Sequence, residues 1–382
     1  MNERRIIIHK YMMIGALMVS VAALPFSIKI CHGGIMIMLA NWVCEGNWRV
    51  EFAVINNSLL LQLIIALFSL QLFGLLFSDL LSNGLYSMEK KIFFLLIPLA
   101  LATTDVKLAR REVKWIMTSF VAACLTGTII CLAHAWHQAD LVSIGAAHLD
   151  SYLSSSPYFE LHKNQSHQWL MFSYVSLSKG IGLHPTYLSL YLAMSVVYIL
   201  YEFPSARSLM AKAGLLTLLL YFTLFILFLS ARIVILGMGI IYLVVFARCA
   251  AKKERSFALM AIGILVFFTS FLFLNPVTHY RSLEEIQIST FHIEPGTHYE
   301  SAAQIRLSLW WLAMSTLKDS NPLVGAGTGD VEKVMTDASG KYQITNVIGS
   351  FDPHNQYLYT LIANGLPAVL LLISCLLLPA RW

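Results

Sequence analysis

Long apolar runs alternate with short polar connections along the whole chain. Ten of them are long enough to be read as membrane-crossing helices, at about 11–27, 33–45, 58–78, 92–104, 115–134, 185–201, 213–229, 233–247, 257–274 and 357–379. The second and fourth are short for a span. Two longer polar intervals interrupt the series, at 135–184 and 275–356. The pattern predicts an all-α polytopic integral membrane protein with about ten transmembrane helices and a large, partly helical loop before the last one. No strand alternation, internal repeat, heptad run or low-complexity tract is visible. The N-terminal stretch MNERRIIIHKYMMIGALMVSVAALPF has the basic start and apolar middle of a signal peptide. It lacks a small-x-small cleavage site, and further runs follow at once, so an uncleaved first helix is expected.

Composition agrees with this pattern. Of the 382 residues, 58% are hydrophobic and 12% charged, against roughly 25% charged in a soluble domain. The net charge of +5 carries topology rather than nucleic-acid binding: Lys and Arg cluster in short loops, with no basic stripe and no aromatic RNA-binding motif. With the N-terminus in the cytoplasm, fifteen of the 26 Lys and Arg fall inside, and seven of the other eleven fall in the two long loops. Short connections alone therefore divide fifteen to four, which places both long loops on the outer face. The six cysteines form no CxxC pair, lie mostly in apolar runs and read as small buried hydrophobes.

The polar residues left over are few enough to weigh one by one. The first long loop holds His137, His148, His162, His167 and His184, with no HExxH, HxH or paired Cys that would suit a metal. At its end, in GLHPTYLSLYLA, His184 and Tyr187 sit where loop becomes helix, and Pro185 fits the first helical position. Both are candidate substrate contacts; a tyrosine there equally suits an interfacial anchor. GAGTGD (Gly325 to Asp330) is glycine-rich, but no Lys-Ser/Thr follows and no apolar strand precedes it, so a tight turn is expected rather than a P-loop. Arg232 follows the run LLTLLLYFTLFILFLSA directly and precedes IVILGMGIIYLVVFA. A charge so placed snorkels to the interface or faces a wet cavity, and guanidinium binds phosphate in a bidentate way without ever deprotonating. Arg306 lies in SAAQIRLSLWWLAMSTL, which reads as an amphipathic helix with Ile305, Leu309 and Leu312 on one side and Trp310 and Trp311 suited to a membrane interface or a sugar. Arg281, near Glu284 and Glu285, reads as a local salt bridge. His354, between Pro353 and Asn355, stands where the second long loop turns into the last apolar helix. A histidine can act as general base near neutral pH.

Two arginines and a histidine on one face fit glycosyl transfer from a polyprenyl-diphosphate donor. The arginines would neutralise the diphosphate leaving group, the histidine would deprotonate the acceptor hydroxyl, and no metal need be invoked, because arginine can replace it electrostatically. The chain also resembles the family of O-antigen ligases and related polysaccharide polymerases, most strongly from about His184 onward. LSARIVILG resembles the family's Ser-x-Arg segment, QIRLSLWWLAMSTLKDSNPLVGAGTGD its Arg…Trp…Asn-Pro-Leu-x-Gly-x-Gly segment, and DPHNQYLYTLIANGLPAVLLL its His-Asn-x-Tyr-Leu…Gly segment. The resemblance implies that 1–382 is a single ligase-like membrane domain, with 275–356 as a periplasmic loop carrying the active site. It implies that Arg232 and Arg306 bind the diphosphate and His354 is the catalytic base, with Asn355 a further candidate contact. It also implies a bacterial inner-membrane enzyme of lipopolysaccharide biosynthesis that takes no cofactor. The glycan would move from undecaprenyl diphosphate to lipid A core or another glycan. Polymerase and protein-glycosylating members share these motifs. A transporter or flippase would instead show repeats, broken helices and ionisable groups near the midplane. One departure is that family members usually continue with further helices after the histidine-bearing loop, where this sequence has one span and ends at LLLPARW.

Overall fold

The computed structural model describes residues 3–46, 48–143, 171–251, 255–274, 302–318, 321–344 and 351–379. Regular structure among them is entirely helical. In chain order the helices are α1 (Glu3–Ala23), α2 (Ile28–Glu45), α3 (Trp48–Asn57), α4 (Leu59–Phe73), α5 (Leu81–Thr103), α6 (Arg110–Ser143) and α7 (Tyr174–Ser178). There follow α8 (Pro185–Glu202), α9 (Leu209–Leu229), α10 (Arg232–Ala251), α11 (Arg255–Leu274), α12 (Ala302–Thr316), α13 (Val331–Lys341) and α14 (Gln356–Leu377). Each of the ten expected spans coincides with a helix over most of its length. Seven, in α1, α4, α6, α8, α9, α10 and α14, are long and apolar enough to cross a membrane. The remaining three lie in α2, α5 and α11, outside those seven, so the count of ten is approximate. This is a multi-pass membrane protein. Its helices show it on their outsides as well: Ile233, Leu236, Ile240, Leu243 and Val244 form an exposed apolar stripe along α10, the surface that lipid rather than water requires.

Several boundaries differ from the sequence reading. The fourth apolar run is the second half of a longer helix, since α5 starts at Leu81 and takes in the polar turn SMEKK. The fifth run extends through α6 to Ser143. The short helix α3 was not expected. His148, His162, His167 and Arg281 lie outside the described residues.

The chain divides into two units. Unit 2 comprises 10–38 and 108–286. Its core is the apolar side of α8 and α9, with Leu188, Leu192, Val196, Phe222, Phe225 and Ile226 fully buried. Local chemistry sets the helix ends. Ser208 caps α9 by accepting from the Ala211 N–H at 3.1 Å, and Ser230 ends it in the left-handed conformation (φ 49°), so α10 begins two residues later. Lys114 pairs with Glu202 at 2.8 Å and Lys10 with Glu112 at 2.7 Å. These bridges lie among the basic connections assigned to the inner face.

Unit 1 comprises 1–9, 39–107 and 287–382. In it α4 packs along α14, and α12 packs on α13 and α14. A small core forms from Leu309, Leu312, Ala313, Val331, Met335, Ile362 and Ala363, with Ile305 packed against it. The apolar side read for α12 is therefore its buried side. At the other end, Glu45 is buried and accepts from the Thr104 hydroxyl (2.8 Å), the Asp105 N–H (3.0 Å) and Asn41 (3.4 Å).

Candidate active site

His354 owes its position to its three neighbours. The Asp352 carboxylate accepts from the His354 N–H at 2.6 Å, an Asx-type turn that a proline at 353 favours. His354 itself takes a left-handed backbone, φ 47°, which is uncommon outside glycine. Asn355 then caps α14, its side-chain oxygen accepting from the N–H groups of Tyr357 (3.0 Å) and Leu358 (3.3 Å). The imidazole is left 59% exposed, and its Nδ1 stands 3.7 Å from an Asp352 oxygen. That is too long for a hydrogen bond and close enough to orient the ring. The Asn355 oxygen is engaged in capping, so a substrate contact by this residue would use its amide nitrogen.

A second element fastens the same turn. Trp310 of α12 donates its indole N–H to the Pro353 carbonyl at 3.0 Å. Arg306 stands one turn earlier on α12, neighbouring Trp310 on the helix surface, and is exposed. The structure thus brings Arg306 and His354 into one unit and ties their elements together through Trp310. Trp311, the other half of the pair, packs edge-on against Tyr342 at 5.1 Å and is structural.

Sequence reasoning missed Lys91. It lies on α5, just before the apolar run that begins at Ile92, and its ammonium sits 4.7 Å from the ring centre of Tyr359. The Tyr359 hydroxyl in turn meets the Ser87 hydroxyl at 3.3 Å. Burial pushes the Lys91 ammonium down to about 8, with Asp352 partly opposing the shift. A signal was present: Lys90 and Lys91 are two of the four cations that break the positive-inside pattern in short connections, as Arg232 is.

The glycine-rich loop GAGTGD is a clasp. Ala326 and Gly327 donate to the Ile362 and Ala363 carbonyls at 2.7 and 2.9 Å, Thr328 donates to Gly74 and Gly329 to the Ser78 hydroxyl. The Asp330 carboxylate accepts from Asp79 and Leu80 at 2.7 and 2.9 Å. The clasp fits against a break in α14, where Gly365 has φ 73° and precedes Pro367. Leu366, past the break, donates to Pro322 at 2.8 Å. Every N–H from Gly325 to Asp330 is used inside the protein, so none is left to cradle a phosphate.

Unit 2 holds the remaining candidates. Arg232 is the first residue of α10, where its charge adds to the positive end of the helix and both favour an anion. His184 caps α8, its Nδ1 accepting from the Thr186 N–H at 3.3 Å, and Pro185 takes the first helical position. Tyr187 is exposed and lies near the His184 ring, at 6.1 Å between centres.

Residues 215–373 match the model of the family described as O-Antigen ligase. Over this segment the chain is similar to that family. The matched segment contains Arg232, Arg306, His354 and Asn355, together with Trp310 and the clasp, and begins after His184 and Tyr187. No curated protein and no solved structure matches the chain. The arrangement around His354 in the matched segment is therefore read from its own geometry.

Proposed function

We propose that the protein is a glycosyltransferase that moves a glycan from undecaprenyl diphosphate to an acceptor, lipid A core first among them, at the periplasmic face of the inner membrane. The N-terminus is cytoplasmic in this reading. The observation that carries it is the exposed His354, held in a left-handed turn by Asp352 and Asn355 and tied by Trp310 to the helix bearing Arg306. His354 takes the proton from the acceptor hydroxyl as that oxygen attacks the anomeric carbon. The bond from that carbon to the diphosphate breaks, and the charge left on the diphosphate is neutralised by Arg306 and Arg232. The arginines do the electrostatic work that a metal does in other transferases. His184, Tyr187 and the Asn355 amide are proposed contacts to the substrates.

One observation favours the transporter reading: α14 is a broken helix, as transporter binding sites often are. In such sites, however, the freed backbone groups serve the ligand. Here Ala326, Gly327 and Pro322 take them up.

Incubating membranes that contain the protein with a polyprenyl-diphosphate glycan and a lipid A core acceptor tests the proposal. A single-step product on the core supports a ligase. A lengthening ladder on the carrier assigns the polymerase reaction. Movement of the carrier across the bilayer without transfer would refute the enzyme.

A further inference from the structure

We propose that Lys91 is a further cationic contact of this site and binds a diphosphate or phosphate oxyanion beside His354. The inference deepens the function proposed above and rests on it for the identity of the anion.

Three observations converge. First, Lys91 stands against the segment that carries His354, over Tyr359 at 4.7 Å and within electrostatic range of Asp352. Second, among the described residues its ammonium makes that cation–π contact and no hydrogen bond, which leaves three N–H donors for a ligand. Third, Tyr359 is itself held by Ser87 from the same helix as Lys91, so the ring that seats the lysine is fixed. The helix that carries Arg306, α12, is tied to the same turn by Trp310. Lys91 therefore approaches the segment of the residue assigned to proton transfer, where Asp352 is the carboxylate that keeps the surroundings from being uniformly positive.

Burial makes this lysine costly to keep charged, and its ammonium is pushed down to about 8. Only Asp352 and the Tyr359 ring are seen to favour its charge: α4, which packs on α5, carries no ionisable side chain, and Glu51 of α3 interacts with Glu45 and Asp105 instead. The groups facing Lys91 are Asp352 and Tyr359, with His354 two residues from Asp352 and Glu89 and Lys90 on its own helix. A half-buried cation with open donors, retained against its desolvation, is what an anion site requires. An oxyanion placed there would restore the charged form, so binding and protonation of Lys91 are coupled.

The test is the affinity of the full-length protein in lipid nanodiscs for inorganic pyrophosphate, for wild type, Lys91→Met and Lys91→Arg, at pH 7 and pH 9.5. Lys91→Met is expected to weaken binding tenfold or more, while Lys91→Arg stays within about threefold of wild type, since arginine keeps the charge. Wild-type affinity should drop between the two pH values more than that of Lys91→Arg. Wild-type affinity in Lys91→Met would overturn the proposal, as would equal loss in both variants or no pyrophosphate binding by wild type. Binding is read without turnover, so it fails independently of the transfer reaction. Loss of transfer in His354→Ala with normal pyrophosphate binding leaves both readings standing. Unaltered transfer in His354→Ala removes only the catalytic one.

Discussion

At the scale of single residues, the informative ones are those whose placement costs something. His354 adopts a left-handed backbone, Arg232 puts a cation at a helix N-terminus, and Lys91 carries a charge into a half-buried position. For Lys91 the sign of the pH dependence follows directly. Its folded-state value of about 8 lies below the usual 10.5, so the unfolded chain binds more protons between those values and stability rises with pH across that window. Below pH 8 the full desolvation cost is present. Lys91→Met should therefore be more stable than wild type at pH 7, by up to about 3 kcal/mol, and the gap should close toward pH 10.5. Thermal unfolding at several pH values checks this, and a variant both more stable and less active would identify a functional charge. Arg232, Arg306 and His354 could be singled out as candidates in the sequence because charge and imidazole stand out against apolar runs and at a loop-to-helix junction. Lys91 was not, because a lysine beside an apolar run reads as the edge of a span, and its contact with Tyr359 joins residues 268 positions apart.

At the scale of elements, the helices follow from hydrophobic runs and their caps, which a sequence shows plainly. Ser208, Pro185 and Asn355 lie where local rules put them. The clasp of GAGTGD on the broken helix was legible only as a turn. Its partners, Gly74, Ser78, Leu80 and Ala363, are distant in sequence and, apart from the Ser78 hydroxyl, take part through their main chain. Asp330 is the residue to probe. It is buried and holds two main-chain N–H groups of the segment after α4, and hydrogen bonds to a charged group contribute about 1.5–3 kcal/mol. Asp330→Ala should lower stability by about 3 kcal/mol and Asp330→Asn by less, as measured by thermal unfolding in detergent. Gly365→Ala should also destabilise, because a Cβ there would press on the Leu323 carbonyl while the backbone stays at φ 73°. If either substitution were neutral, the clasp would not hold the break in α14.

At the scale of the molecule, the alternation of apolar and polar segments determined the class, and the charge bias gave an orientation. Ends of helices were less legible, since α5 and α6 extend beyond their apolar stretches into turns that tertiary contacts keep helical. The orientation makes a direct prediction. In a variant with Cys44 replaced by Ser, Lys318→Cys should react in intact spheroplasts with a thiol reagent that cannot cross the membrane, and Lys107→Cys should react only after lysis. Both side chains are exposed, so burial does not confuse the result. The reverse pattern would turn the molecule over and put His354 on the cytoplasmic side.

The central claim is that His354 performs the proton transfer of a glycosyl transfer reaction. The most direct measurement is the initial rate of transfer from a polyprenyl-diphosphate glycan to lipid A core, for wild type and His354→Ala at equal protein levels. Because the imidazole is exposed and its backbone N–H is bonded to Asp352, the substitution should leave folding intact and lower the rate by at least a hundredfold, in keeping with loss of a general base. A rate within threefold of wild type would contradict the account.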